Sequence, residues 1–377
     1  MRTHERYRFA LPADPFGYPL PGRHMASGQH GRADDLRLPR AAGCAAMKGR
    51  VLVVGGAGYI GSHMTKLLRA QHETVLVLDN LSSGHRDAVT ASATFVHGTA
   101  GDAALLDRLF QQFPIDTVMH FASLIQVSES VMQPARYYDN NVCQTVTLLN
   151  AMARHQIPYF VFSSTAAVFG DPHYLPIDER HPLAPINPYG RSKWMVEQLL
   201  PDYEKAYGIR HVCLRYFNAA GADPEGALGE RHEPETHAIP LALRAATGRL
   251  SRFTLYGDDY DTPDGTCIRD YVHVMDLCSA HMLAMRHMRA GRRSGMFNLG
   301  NGNGYSVREI VCAVERVTQR RVPVQCAPRR EGDPARLIAD ATRARTVLGW
   351  QPRFAQLHDM VGHAFQWEAR RDQAHAG

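Results

Sequence analysis

The stretch RVLVVGGAGYIGSH, residues 50–63, restricts the possible folds more than any other. A Val-rich apolar run ends in glycines, and these open a segment, YIGSHMTKLLRAQ, with apolar residues at helical spacing. The run reads as a strand buried on both faces, and such strands belong to parallel sheets. GGAGYIG, residues 55–61, fits both GxGxxG and GxxGxxG. Glycine-rich turns are common, so the pattern alone is weak. Placed after a strand and before a helix it gains a mechanism. Backbone without side chains can approach a pyrophosphate, and the helix N–H groups and dipole hold its charge. Asp79 ends a second apolar run, TVLVLDN (74–80). A carboxylate there accepts hydrogen bonds from both adenosine ribose hydroxyls and repels a 2′-phosphate, so NAD is expected over NADP. Asp79 also has an ordinary reading, as a turn residue in DNLSSG.

The alternation continues. TFVHG (94–98), IDTVMHFAS (115–123), YFVFSSTAAVFG (159–170) and IRHVCLRYFNAAG (209–221) read as strands. LLDRLFQQF, the long segment YYDNNVCQTVTLLNAMARH and the segment following Asn187 read as helices. Strands alternating with helices predict an α/β fold: a doubly wound parallel (Rossmann) sheet with right-handed crossovers over residues 47–221. Beyond residue 222 the pattern loosens into Gly-, Pro- and Asp-rich loops and shorter elements. Residues 222–377 are expected to form mainly a second, smaller α/β substrate domain, with some segments returning to the first. Residues 1–46 are rich in Arg, Pro and Gly without periodicity or a secretory core, and are expected to be a disordered N-terminal extension.

NPYGRSK, residues 187–193, places Tyr189 and Lys193 one helical turn apart, on one face. Tyr-x-x-x-Lys is frequent by chance, and a core tyrosine with a solvated lysine is its ordinary reading. Its position after FSSTAAVFG favours a chemical one. Beside a bound nicotinamide, Lys193 can hold ribose hydroxyls while its charge lowers the phenol's pKa, and the oxidised ring adds to this. A phenolate within hydrogen-bond reach of a sugar hydroxyl can then take its proton. Thr165 supplies a neighbouring hydroxyl to share that proton.

Bulk properties exclude several classes. A net charge of +5 over 377 residues gives no reason to expect nucleic acid as a partner. No apolar run approaches the ~18 residues of a membrane span, so no membrane association is expected. The seven cysteines are scattered without a CxxC pair and read as free thiols of a cytoplasmic protein. The twenty histidines are dispersed, and no metal is expected.

Ten stretches carry a family likeness: GGAGYIGSH, LDNLSSG, HFASLIQVSES, YYDNN, FSSTAAVFG, NPYGRSK, LRYFNAAGAD, GTCIRDYVHVMDL, NLGNG and RREGD. Through them the chain from Met47 to about Trp367 resembles the extended short-chain dehydrogenase/reductases and, within them, the UDP-glucose 4-epimerases. The resemblance implies an NAD-dependent isomerase of UDP-sugars. Tyr189 would take the proton of the sugar O4 during a transient oxidation at C4, and the 4-keto sugar would rotate before it is reduced. It implies cofactor contacts from Gly55, Gly58, Tyr59, Ile60, Gly61, Asp79, Asn80, Phe121, Ala122, Ser123 and Ser163. Asn140 would support the cofactor helix, Tyr216 would face the nicotinamide amide, and Tyr189 and Lys193 complete the set. On the substrate side it implies Thr165, Asn218 at the diphosphate, Arg269 and Arg330 as phosphate clamps, Tyr256 near uracil, Asp333 on the uridine ribose, and Leu337. His237 is placed near the nucleotide, with a helix start as its ordinary reading. A homodimer is implied, with YYDNNVCQTVTLLNAM and YGRSKWMVEQLL supplying two helices per subunit.

Four positions depart from the commonest pattern. Ile125 stands for a lysine near the cofactor phosphates, which predicts looser NAD binding. Thr99 replaces an aspartate near adenine, and Thr165 a serine. Leu337 stands where narrow hexose epimerases carry tyrosine, which makes room for a 2-acetamido group and predicts action on UDP-GlcNAc and UDP-GalNAc. Among rivals, a 4,6-dehydratase needs an acid–base pair after the threonine, whereas Ala166 and Ala167 follow here. A uronate 4-epimerase or decarboxylase stays open, since carboxylate recognition has no readable signal. A non-catalytic NAD-sensing protein would typically lose the Tyr or the Lys, and this chain keeps both.

Overall fold

Val51 and Val53 face one side of a sheet with Val75 and Val77, while Leu52 and Val54 face the other with Leu76 and Leu78. All eight are essentially inaccessible to solvent. Strand side chains alternate between faces, so a strand apolar at every position must be covered on both. The computed structural model describes residues 50–330 and 333–376; the extension expected over residues 1–46 lies outside the described residues.

Along the chain run β1 (Arg50–Val54), α1 (Tyr59–Ala70), β2 (Thr74–Asp79), β3 (Thr94–His97), α2 (Ala103–Gln112), β4 (Ile115–His120), α3 (Val127–Met132), α4 (Pro134–Tyr138), α5 (Gln144–Arg154), β5 (Tyr159–Thr165), α6 (Pro188–Tyr207) and β6 (Arg210–Tyr216). Then follow β7 (Asn218–Ala220), α7 (Ala238–Ala246), β8 (Phe253–Tyr256), β9 (Ile268–Arg269), β10 (Tyr271–His273), α8 (Val274–Arg289), β11 (Gly295–Leu299), β12 (Tyr305–Ser306), α9 (Val307–Thr318), β13 (Val324–Ala327), β14 (Arg336–Leu337) and α10 (Leu357–Ala376).

Seven strands form one sheet in the order β11-β6-β5-β4-β1-β2-β3, and every pairing is parallel. On one face Met64 and Leu68 of α1 pack with Leu277, Ala284 and Met288 of α8. On the other lie Leu106 and Leu109 of α2, Leu148 and Leu149 of α5, and Val196 and Leu200 of α6. This is the doubly wound α/β architecture expected. A second apolar cluster joins α7, α9 and α10 through Leu243, Ile310, Val314, Met360 and Val361. Two-stranded pairs β10-β7 and β13-β8 and the three-stranded β12-β9-β14 complete the fold.

Three elements differ from the sequence reading. The run 209–221 divides at Phe217: β6 stays in the main sheet, and β7 leaves it to pair with β10, Asn218 opposite Tyr271. The long helix is widened by a π-type turn at Asp139–Cys143 between α4 and α5, a feature that often marks functional positions. The part beyond residue 222 is more regular than expected, with 16 residues in α8 and 20 in α10. The six cysteines among the described residues are free thiols. No helix among the described residues is long and apolar enough to cross a membrane.

Burial holds several histidines neutral. It lowers His63 and His281 to about 4 and His120 and His273 to about 3. Between those values and the ordinary pKa near ~6.5, the unfolded chain binds protons that the folded chain does not, so stability rises with pH over that window. The expected result is a thermal midpoint that falls progressively as pH drops from about 6.5 toward 4, measured by calorimetry. A flat profile across that range contradicts it.

Candidate active site

The loop after β1 is shaped by contacts that only glycine permits. Gly55 has φ +80°, in the left-handed region, and a Cβ on Gly61 would lie 2.1 Å from the Gly55 carbonyl oxygen. Helix α1 begins at Gly58 without a side-chain cap. The N–H groups of Tyr59, Ile60 and Gly61 therefore lie in a first turn without intrahelical acceptors, as an anion site requires. Asp79, at the end of β2, is buried and braces this loop. One carboxylate oxygen accepts the Ala57 N–H at 2.9 Å, and the other accepts the Leu81 N–H at 2.8 Å. The turn reading and the ribose reading of Asp79 are thus compatible, because each oxygen retains further accepting capacity. Asn80 closes the turn by accepting the Ser82 N–H. These residues fit a dinucleotide. Gly61→Ala is expected to lower the cofactor content of purified protein at least tenfold, about 1.4 kcal/mol of affinity, read by chromatography of released nucleotide. Full retention would contradict the close approach.

Local rules set the position of the tyrosine and lysine. Asn187 caps α6 by accepting the Gly190 N–H at 2.9 Å, and Pro188 takes the first helical position. Tyr189 falls in the first turn at the carboxyl end of β5. Thr165, the last residue of β5, pulls the pKa of the Tyr189 phenol down and accepts the Ala167 N–H. Lys193 is buried. Its ammonium donates to Ser123 Oγ at 2.6 Å and to the Ser163 carbonyl at 2.8 Å, and lies 4.9 Å from the centre of the Phe162 ring. Burial lowers Lys193 to about 7, against an upward pull from Glu197. Burial raises Tyr189 above its ordinary value, and Thr165 opposes this.

Around this pair, His281 Nδ1 lies 2.8 Å from the Leu277 carbonyl, which must accept its proton, so Nε2 accepts from the Ser163 hydroxyl at 3.0 Å. Phe121 and Tyr216 pack against the same imidazole, at 4.7 and 6.3 Å between ring centres. The Phe121 and Ala122 N–H groups bond to Val54, which fixes the chain from β4 beside the glycine loop. Asn140 donates to Asn141. It is the buried Asn141 that braces the Ser123 segment, bonding Leu124 through both backbone groups and reaching Ser192. Thr99 donates to Gln144 and takes the Gly101 N–H. Ile125 is exposed.

The other candidates gather in two places. Arg269 pairs with Asp333, and Arg330 lies 4.0 Å above the Tyr256 ring. Leu337, in register with Arg269, packs against the cluster of Ala166, Val168 and Phe169 beside Thr165. Asn218 donates its N–H to Asp270. His237 stands at the start of α7, as its ordinary reading has it, and its imidazole is hydrogen-bonded to Glu230.

Two arrangements escaped the sequence reading. Behind Lys193, Glu197 and Arg215 form a buried bidentate ion pair, 2.6 and 2.9 Å, and Ser164 donates to the same carboxylate at 2.6 Å. The four-residue spacing of Lys193 and Glu197 on one helix was its signal. Glu230, His232, Glu235 and His237 also converge, and the spacing E-x-H-x-x-E-x-H was theirs. Burial would raise Glu230, but His237 and His232 hold it near 2. Burial would lower His232, but Glu230 and Glu235 raise it to about 10.

A glycine cradle and a Tyr–Lys–Thr group at the carboxyl ends of a doubly wound sheet define a dinucleotide-dependent enzyme acting on a hydroxyl-bearing substrate. Residues 51–300 match the NAD dependent epimerase/dehydratase family, and the chain belongs to it. It is 52% identical over 317 residues to the UDP-glucose 4-epimerase of Halalkalibacterium halodurans, a match covering 84% of this chain and 95% of that one. The crystal structure of UDP-glucose 4-epimerase from Brucella ovis in complex with NAD is 49% identical and superposes with a TM-score of 0.82, over 84% of this chain and 97% of that one. The UDP-Glc/GlcNAc 4-epimerase of Campylobacter jejuni is 41% identical with a TM-score of 0.75, over 85% and 99%.

Proposed function

We propose that the chain interconverts UDP-glucose and UDP-galactose by reversible oxidation at C4 of the hexose. The observation that carries this is Tyr189, one helical turn before a buried Lys193 whose ammonium donates to Ser123 at 2.6 Å in the segment that follows β4. The cofactor is NAD, which when bound accepts and returns the two electrons lost at C4. The protein's own part is the proton. Tyr189 takes it from the O4 hydroxyl and gives it back to the oxygen of the turned sugar. Thr165 holds the phenol's orientation and stabilises its anion. Lys193 has one hydrogen beyond those given to Ser123 and Ser163, suited to a ribose hydroxyl. Its charge favours the phenolate. Ala166 and Ala167 follow Thr165, so no acid–base pair for elimination stands there.

Arg269, Arg330, Asp333 and Tyr256 hold the UDP part, and Asn218 faces the diphosphate. Leu337 borders the sugar and admits the 2-acetamido group, as the substrate range of the Campylobacter jejuni enzyme also suggests. In this reading Arg269 exchanges its ion pair with Asp333 for substrate phosphate, while Asp333 takes ribose hydroxyls. Incubation with UDP-galactose, and separately with UDP-N-acetylgalactosamine, without added cofactor, tests the proposal. Chromatography should show the gluco isomer in each case. No conversion of either substrate by protein that retains bound NAD would overturn it.

The protein acts in the cytoplasm as a homodimer. Exposed apolar residues Val127, Val131 and Met132 lie on α3, which packs against α6, the helix that carries exposed Met195; apolar side chains of this kind suit a self-contact. Light scattering of the eluted protein should give about twice the 42.0 kDa chain mass.

A further inference from the structure

The segment between β7 and α7 holds two imidazoles and two carboxylates that no step above uses. Glu230, His232, Glu235 and His237 each offer a donor atom, and these atoms lie within 4.8 Å of one another. Glu230 and Glu235 are buried, while His232 and His237 are partly exposed, so the group has an inner wall and an opening. His232 Nδ1 is 3.0 Å from Glu230 Oε1 and 3.8 Å from Glu235 Oε1, and His237 Nδ1 bonds the same Glu230 oxygen.

A second observation concerns the buried carboxylate of Glu235. The Glu235 side chain is almost wholly buried, yet Oε2 accepts no hydrogen bond. The Arg244 guanidinium is 3.9 Å from this oxygen, and His232 Nδ1 is 3.8 Å from the other. The other oxygen is oriented by the N–H groups of Thr236 and His237, both on Oε1. A buried carboxylate oxygen left without a partner is costly, and a metal ion is one of the few groups that can satisfy it.

We infer that Glu230, His232, Glu235 and His237 form a binding site for one divalent zinc-class cation. Two imidazole nitrogens and two carboxylate oxygens are a donor set for zinc, and bonds of ~2.0–2.2 Å place tetrahedral donors ~3.4 Å apart. The observed separations run from hydrogen-bonded contact up to 4.8 Å, so on binding the closest donors part and the farthest approach. Four protein donors leave no open position, so the ion is structural. It secures this segment beside Tyr59, whose ring lies 6.4 Å from that of His232 and whose hydroxyl donates to the Gly221 carbonyl at 2.6 Å. Tyr59 opens α1, so the ion steadies the entrance to the cofactor loop. The inference rests on the donor geometry and stands apart from the epimerase reading.

The test uses the full-length protein after dialysis against a chelator, titrated with Zn²⁺ and with Co²⁺ as a spectroscopic substitute. One ion should bind per chain, with the intense visible bands of tetrahedral Co²⁺ and no thiolate charge transfer. Zn²⁺ should raise the thermal midpoint, as a ligand of the folded state must. His232→Ala and Glu235→Gln should each lose stoichiometric uptake. The Co²⁺ spectrum of the unaltered chain reports the donor set even if a variant fails to fold. Absence of stoichiometric uptake, a thiolate band, an octahedral spectrum, or undiminished binding in both variants would overturn the assignment.

Discussion

Tyr189→Phe protein is expected to keep its fold and its bound NAD while kcat for UDP-galactose falls by about 10²–10⁴-fold, the usual contribution of a positioned acid–base group. The phenylalanine ring fills the same space, and Lys193 keeps its bonds to Ser123 and Ser163, so little else changes. What is lost is the atom that carries the proton, and Thr165 does not replace it, because an aliphatic hydroxyl is a far weaker acid than a phenol. A companion measurement separates the two hydroxyls. Thr165 pulls the Tyr189 pKa down, so Thr165→Val should move the rising limb of the pH–rate profile to higher pH. A Tyr189→Phe enzyme within about tenfold of the parent would remove the phenol from the mechanism.

The second large effect is on stability. Glu197 and Arg215 are both almost wholly buried, and their bidentate contact joins α6 to β6 one turn beyond Lys193. Glu197→Ala leaves the guanidinium buried without its counter-ion and the Ser164 hydroxyl without its acceptor. Breaking one side of a buried pair typically costs about 3–5 kcal/mol, whereas replacing both with apolar residues is often neutral. Urea titration should show a loss of that size for Glu197→Ala and recovery of most of it in Glu197→Leu/Arg215→Met. A single-variant loss under about 1 kcal/mol would mean that water reaches the arginine. Glu197 also raises the pKa of Lys193, so any active remnant should need lower pH to keep the lysine charged.

Much of the molecule could be read from the chain because its signals are local. Apolar runs at β1 and β2, glycines at the start of α1 and the Asn187–Pro188 cap before Tyr189 act over a few residues, and they set strand, loop and helix directly. Thr165, Tyr189 and Lys193 converge because the ends of neighbouring parallel strands share one edge of the sheet. What escaped depends on partners distant in sequence. Helix α8 is rich in Met and Ala and is almost entirely covered, so it lacks the polar stripe by which surface helices are recognised. Arg215 looked like any strand arginine until β6 was laid against α6. Glu230, His232, Glu235 and His237 lie within eight residues, but only the fold turns the four side chains inward. The contacts of His237 with Glu230 and His232 likewise have no local signal, although its place at a helix start does. Asn141 gives no local signal of its own, because within a π-type turn one residue decides which amide points inward.

The outermost strand of the nucleotide sheet, β11, is drawn from residues 295–299 and pairs with β6 along its whole length. During synthesis, the segment up to residue 222 therefore leaves the ribosome with β6 bare along one edge, a template for unwanted association between nascent chains. A fragment ending there should aggregate rather than fold, and the earliest point at which this half can close is after Leu299 has emerged.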